Sequence, residues 1–203
     1  MITSMSDLVC VTNRKLCRED FLVRLEKIAA AGPAGIILRE KDLPEEDYRK
    51  LAKRAMEICQ RYGVPCVLHS FVEVAAELGA EAIHVPLGVL RNMTPEEKAK
   101  FAVIGASCHS VEDAQEAEAL GCGCITAGHV FDTDCKRGLP GRGLEFLEKV
   151  CTSVSIPVYA IGGIVPENMG AVRAAGAKGA CVMSGLMVCP DPAALLKSLK
   201  EGR

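Results

Sequence analysis

No run of 18 or more apolar residues occurs in this chain of 203, so no segment has the length and apolarity of a membrane-spanning helix. The opening residues MITSMSDLVCVT lack the charged stretch followed by a long apolar one that marks a secretory signal. Aromatic residues are scarce at 4%, Lys and Arg form no cluster or tail, and the net charge is −2. Nucleic acid is therefore not an expected partner, because phosphate backbones are held by dense basic patches or stacking platforms. Eleven cysteines are an odd number, scattered over a chain too large to need disulfide staples. That usage suits a reducing compartment, and the expectation is a cytoplasmic protein. Cys122 and Cys124 have no second pair at metal-ligand spacing, so they read as small core residues and no metal is expected.

What is present is a regular alternation. Short apolar or β-branched runs recur at residues 8–12, 35–39, 65–69, 82–86, 102–107, 123–127, 157–161 and 179–183. Between them lie segments of helical periodicity such as YRKLAKRAMEICQRYG and VEDAQEAEALG. Strands alternating with helices argue for parallel βαβ units buried on both faces. A weak repeat supports this: IAAAGPAGIIL, VAAELGAEAIHV, EAEALGCGCITA and VRAAGAKGACVM each end a helix on Gly and enter a strand. Eight such strands in about 200 residues predict an α/β fold, a single-domain (β/α)8 TIM barrel over 1–203. A doubly wound open sheet is the alternative, but CVTNRKLC after the first strand carries no G-x-G-x-x-G fingerprint, and no cofactor is expected.

In a barrel the chemistry belongs on the loops after the strands. The longest follows strand six and reads GHVFDTDCKRGLPGRG over 128–143. His129 stands at its start, where the scaffold would hold a general acid or base within reach of substrate. Gly162-Gly163 after strand seven and Ser184-Gly185 after strand eight occupy the two places where barrels commonly bind phosphate through backbone N–H groups. The same Gly pair would equally serve a tight turn into a helix. Arg39 and Lys41 flank Glu40 at the end of strand two, as an anion clamp or as a solvated charge run, and Lys136 and Arg142 share that ambiguity. His69, Ser107 and His109, at the ends of strands three and five, are possible substrate contacts, whereas His84 inside AIHVP reads as a barrel-interior residue. Met187 and Val188 mark a possible homo-oligomer contact, with core packing as the alternative.

The stretches GHVFDTDCKRGLPGRGLEFL, IPVYAIGGIVPENM and GAKGACVMSGLM, together with LREKDL and GASCHSVEDAQEAEALG, resemble the thiamine phosphate synthase/TenI superfamily. The strand-six loop is most similar to TenI-type thiazole tautomerases. The resemblance implies a barrel that binds a small thiazole phosphate, with His129 as the tautomerase histidine and the expected activity an isomerase. It maps Gly163 and Ser184-Gly185 to a phosphate cradle, and Arg39 and Lys136 to anion partners. Synthases of this superfamily carry an Asn-Asp pair after strand three and Gly-Gln-x-Asp after strand four for magnesium and a pyrimidine diphosphate. Here those places read HSF and VPLGV. The alternatives are a thiamine-phosphate synthase with relocated magnesium ligands, a non-catalytic thiamine-phosphate-binding regulator, and a barrel isomerase for another phosphate.

Overall fold

The computed structural model describes residues 8–136 and 138–202. Eight parallel strands close into a barrel in sequence order: β1 Leu8–Val11, β2 Gly35–Leu38, β3 Cys66–His69, β4 Ala82–Pro86, β5 Val103–Cys108, β6 Cys124–Gly128, β7 Val158–Ile161 and β8 Gly179–Val182. The last strand pairs with the first through Leu8–Ala180 and Cys10–Val182, so no sheet edge is left open. The expected (β/α)8 barrel is thus the observed fold, and each predicted strand lies within about one residue of the observed one.

The helices in chain order are α1 Phe21–Ala30, α2 Glu45–Arg61, α3 Val72–Glu77, α4 Leu87–Asn92, α5 Pro95–Lys98, α6 Val111–Ala119, α7 Gly143–Ser153, α8 Pro166–Ala174, α9 Ser184–Val188 and α10 Pro192–Glu201. Their starts follow local chemistry. Asp20 accepts from the backbone N–H groups of Leu22 and Val23, Asp191 from those of Ala193 and Ala194, and Thr94 with Glu97 closes a capping box. The four repeat glycines, Gly32, Gly79, Gly121 and Gly176, all have positive φ, between 66° and 91°. At the first three no atom would touch an added Cβ, so conformation rather than space selects glycine there.

Period-two alternation sorts the strand residues into two layers. Leu8, Cys10, Ile36, Leu38, Leu68, Ile83 and their neighbours face the helices in the main core. Val11, Ile37 and Cys181, with Val9, Val67, Tyr159, Ile161 and Met183 against them, fill the barrel axis. The axis is not filled throughout. A cavity of about 180 Å³ lies toward the strand starts, lined by Val9, Val67, Val103, Tyr159 and Cys181 among others, and reaching the exposed Gly123 and Pro157 at the rim.

Met187 is fully buried and belongs to the core, while Val188 is 39% exposed. Of the two residues considered for an oligomer contact, Met187 therefore takes the packing role. No helix among the described residues is long and apolar enough to cross a membrane.

Candidate active site

Most buried polar side chains lie just after the strands or within the barrel: Thr12, Glu40, His69 and His129 at strand ends, and His84 and Thr126 in mid-strand, lining the interior cavity. A buried polar group is costly unless it is hydrogen-bonded, so the partners define what each group does.

After β2 the chain enters a turn closed by the Leu43 N–H to the Glu40 carbonyl at 3.2 Å. Glu40, 2% exposed, accepts from the Thr12 hydroxyl at 2.7 Å, the Arg14 backbone N–H at 2.9 Å and the Arg14 guanidinium at 3.1 Å. Asp42 takes the remaining guanidinium donors at 2.7 and 2.9 Å and pairs with Lys15 at 2.7 Å. Hydrogen bonds from Arg14 and then Lys15 hold the Asp42 carboxyl well below the usual carboxylate range. Both carboxylates are thereby turned to the β1 exit. Arg39 and Lys41, between and beside them, have no ion-pair partner among the described residues. Their positive charge is felt at His69, and that of Arg39 also at His84. The acids of this segment are spent on scaffolding, and its bases are left to the mouth.

The next two strands bring two imidazoles into the barrel. His69 at the end of β3 and His84 in β4 are register partners, and their rings stack with centroids 5.8 Å apart. His84 Nε2 lies 3.0 Å from the Ser107 hydroxyl and 3.4 Å from that of Thr126, on β5 and β6. Space for this ring comes from Gly105, where an added Cβ would fall 2.6 Å from His84 Nδ1. Burial, followed by the nearby positive charges of His84, Arg39 and Lys41, pushes His69 down to about 3. Burial and then Arg39 push His84 down to about 4. Both are neutral hydrogen-bonding groups at pH 7. Ser70, directly after β3, is the one described non-glycine residue with positive φ, 68°, a conformation that costs an L-residue about 1–2 kcal/mol. Its hydroxyl lies 2.7 Å from His69 Nδ1.

His109 sits exposed at the rim after β5, its Nδ1 2.8 Å from the Gly128 carbonyl. A carbonyl only accepts, so Nδ1 carries the proton. His129 is 9% exposed and its Nε2 lies 3.2 Å from the Leu139 carbonyl, so Nε2–H donates to the loop and Nδ1 is left without that proton. The β6 exit is laid on the β7 exit by Val130 N–H to Ile161 carbonyl at 2.9 Å and Phe131 N–H to Gly162 carbonyl at 3.1 Å. It then returns through Arg142 N–H to His129 carbonyl at 3.0 Å and Gly143 N–H to Val130 carbonyl at 2.9 Å. Loop and strand ends form one hydrogen-bonded unit around the histidine.

Gly162 and Gly163 are explained first by that packing. A Cβ on Gly162 would collide with His129, and one on Gly163 would lie 2.5 Å from the Asp132 carbonyl oxygen and 2.7 Å from Phe131 Cβ. Both also have positive φ, 99° and 65°. The β7–β8 pairing Ile161–Cys181 brings them near Val182 and Met183, just before α9, which begins with Ser184 exposed and Gly185 part-buried. Lys136 is exposed on a short 3-10 turn, Asp134–Lys136, of the β6 loop. The expected site residues thus gather at one end of the barrel. Glu40, Thr126 and Ser70 were not singled out from the sequence. Glu40 had a visible signal in its place between two cations, and Ser70 had none, because its backbone conformation is imposed by neighbouring strands.

The magnesium that the resemblance implies would need oxygen ligands at these strand ends. The β3 and β4 exits, His69-Ser70-Phe71 and Pro86-Leu87-Gly88, hold no carboxylate, and Glu40 is already saturated by Thr12 and Arg14. No group of three His, Cys, Asp or Glu side chains with metal-binding geometry occurs among the described residues. These residues do not fit a divalent cation of their own.

Residues 8–186 match the profile of a protein family described as thiamine monophosphate synthase. A thiamine-phosphate synthase of Desulfitobacterium hafniense is 32% identical over 201 residues, covering 96% of this chain and 95% of the relative. One from Caldivirga maquilingensis is 38% identical over 148 residues, covering 72% of this chain and 71% of that protein. Among solved structures, a thiamine phosphate pyrophosphorylase from Pyrococcus furiosus superposes with a TM-score of 0.81 at 28% identity, covering 97% of this chain and 94% of the other. These findings correct the expectation of a thiazole tautomerase, and with it that of an isomerase. Proteins alike over nearly the whole length carry the name of the synthase, which outweighs a motif confined to the β6 loop.

Proposed function

The chain belongs to the thiamine monophosphate synthase family, and from that premise we propose that it is a transferase joining hydroxymethylpyrimidine diphosphate to thiazole phosphate at the barrel mouth. In that reaction a carbon–nitrogen bond to the thiazole ring forms as the carbon–oxygen bond to diphosphate breaks, and the diphosphate departs with the electron pair. The protein's tasks are to align the two rings, to accommodate the charge that develops on the leaving group, and to exclude water.

The observation that carries this reading is the sorting of charge after β2. Among the described residues Arg39 and Lys41 have no ion-pair partner, while Glu40 and Asp42 are withdrawn into the Arg14 and Lys15 clamp. We assign the leaving diphosphate to Arg39 and Lys41, with Lys136 of the β6 loop as a further cation. Backbone N–H groups at Gly162-Gly163 and Ser184-Gly185 are the cradle proposed for the thiazole phosphate. His129 and His109, each with one nitrogen tied to a carbonyl, are proposed to wall the ring site, and Ser107 to steady His84 beneath it. No step is routed through a protein-held metal.

A second reading is favoured by the missing carboxylates at the β3 and β4 exits. It is a protein that binds the phosphate product without turnover. Mixing the two substrates with purified protein and following thiamine phosphate by chromatography separates the two. The synthase reading expects product and diphosphate in equal amounts well above buffer; tight product binding without any formation of product overturns it in favour of the binder.

A further inference from the structure

We infer that His69 is a ring-recognition residue of the mouth, donating from Nε2–H to an acceptor atom on the uncharged heteroaromatic ring of a phosphorylated ligand, and that Ser70 is its positioning residue. The inference deepens the proposed transferase reading, since it places that ligand's ring.

Three observations support it. The first is backbone anchoring. The Tyr48 hydroxyl donates to the Leu38 carbonyl at 2.8 Å and accepts from the His69 N–H at 2.9 Å, locking the end of β3 to β2, and the Tyr48 ring stacks on Phe71 at 4.2 Å. The second is the strained neighbour. Ser70 holds a left-handed backbone, its N–H bonded to the His84 carbonyl at 3.1 Å, and this turn sets its hydroxyl against His69 Nδ1. A β-carbon makes this conformation unfavourable, so it persists only where surrounding structure dictates it, and such residues cluster at functional sites. The third is the remaining nitrogen. His69 Nε2 has no hydrogen-bond partner among the described residues, yet it is not sealed from solvent although the residue is only 5% exposed. His69 is the last residue of β3, at the barrel end from which the loops after the strands emerge.

With the Ser70 hydroxyl donating to Nδ1, the proton sits on Nε2 and faces the ligand. Burial and the cations of Arg39 and Lys41 keep the ring neutral, so it recognises a lone pair rather than a negative charge. The ligand class this arrangement takes is a neutral aromatic ring with a nitrogen or sulfur acceptor, carrying its anionic phosphate toward the cations. A carboxylate at the β3 exit would serve a cation; this neutral donor serves the ring.

The test uses the intact protein with thiazole phosphate alone as probe and inorganic phosphate as control, together with ¹⁵N spectra of the histidines. Wild type is expected to show His69 as a single Nε2–H tautomer, neutral from pH 5 to 8. Ser70→Gly accepts the left-handed backbone and removes the hydroxymethyl side chain, and with it the hydroxyl at His69 Nδ1. It is expected to fold with an unchanged or higher Tm, to show mixed tautomers at His69, and to bind thiazole phosphate about tenfold more weakly with inorganic phosphate unchanged. His69→Gln, which retains an N–H donor, is expected to recover part of the affinity lost in His69→Ala. A wild-type-like tautomer in Ser70→Gly, or His69→Ala binding thiazole phosphate as tightly as wild type, overturns the inference. Binding is read without the pyrimidine substrate, so a protein that binds through His69 yet makes no product defeats the transferase reading and leaves this one standing.

Discussion

The two ends of this barrel are built from the same eight strands and have opposite chemistry. At the strand starts the axis is lined by Val9, Val67, Val103, Tyr159 and Cys181 and is left incompletely filled, with about 180 Å³ open toward Gly123 and Pro157. At the strand ends the same rows of inward positions become Arg39, His69, Ser107 and Gly128, where His69 Nδ1, the Ser107 hydroxyl and the Gly128 carbonyl have hydrogen-bond partners. The strand ends are held by a hydrogen-bonded frame in which carboxylates, hydroxyls and carbonyls fix Arg14, His69, His109 and His129. The division follows from parallel strands, whose following loops all emerge at one end and so converge there.

The largest break in that contrast comes from the frame. Arg14→Ala leaves Glu40, with only 1% of its side chain exposed, holding a buried charge with two donors instead of three. Removing one partner of a buried ion pair costs about 3 kcal/mol, and denaturant unfolding should show a loss of that order. Next, Arg39→Ala removes a cation that has no ion-pair partner among the described residues. It should leave Tm within a degree or two of wild type while lowering the rate of product formation about 10²-fold, as expected for a preorganised charge at a developing anion.

Acid sharpens the contrast at an intermediate scale. His69 and His84 have folded-state values of about 3 and about 4, below the ordinary 6.5. A depressed value means that the unfolded chain takes up the protons first, so this stabilisation is complete above pH 6.5 and is lost as pH falls toward 4. Each histidine contributes a slope of up to about 1.4 kcal/mol per pH unit in that window, and Gln at both positions should flatten the curve of unfolding free energy against pH. The smallest effect is expected at the opposite end. A Cβ on Gly35 would make ordinary contacts with the Pro65 carbonyl oxygen at 3.5 Å and Pro65 Cβ at 3.9 Å. Gly35→Ala should stabilise by about 0.4–1 kcal/mol and leave the mouth chemistry unchanged.

Strand positions and helix-ending glycines were legible in the sequence because both are set by local rules, period-two burial and the left-handed C-cap. The gathering of Arg39, His69, His109, His129 and the two Gly-containing turns at one end was legible as well, since it follows from strand ends in a parallel barrel. What sequence could not give was the use of each group. The Nε2 of His129 is committed to a carbonyl ten residues away, Glu40 to an arginine 26 residues back, and Ser70 to a backbone shape dictated by β4. These are long-range outcomes that no window of residues encodes. Activity is not legible in the β6 loop alone: its resemblance is to tautomerases, whereas the similarity over 201 residues is to a thiamine-phosphate synthase.

The measurement that bears most directly on the account is product formation from pyrimidine diphosphate and thiazole phosphate, followed in parallel for wild type, Arg39→Ala and Gly35→Ala. The account predicts thiamine phosphate from wild type and Gly35→Ala at similar rates and a loss of about 10²-fold in Arg39→Ala. Absence of product from wild type, or an Arg39→Ala protein as fast as wild type, would contradict it.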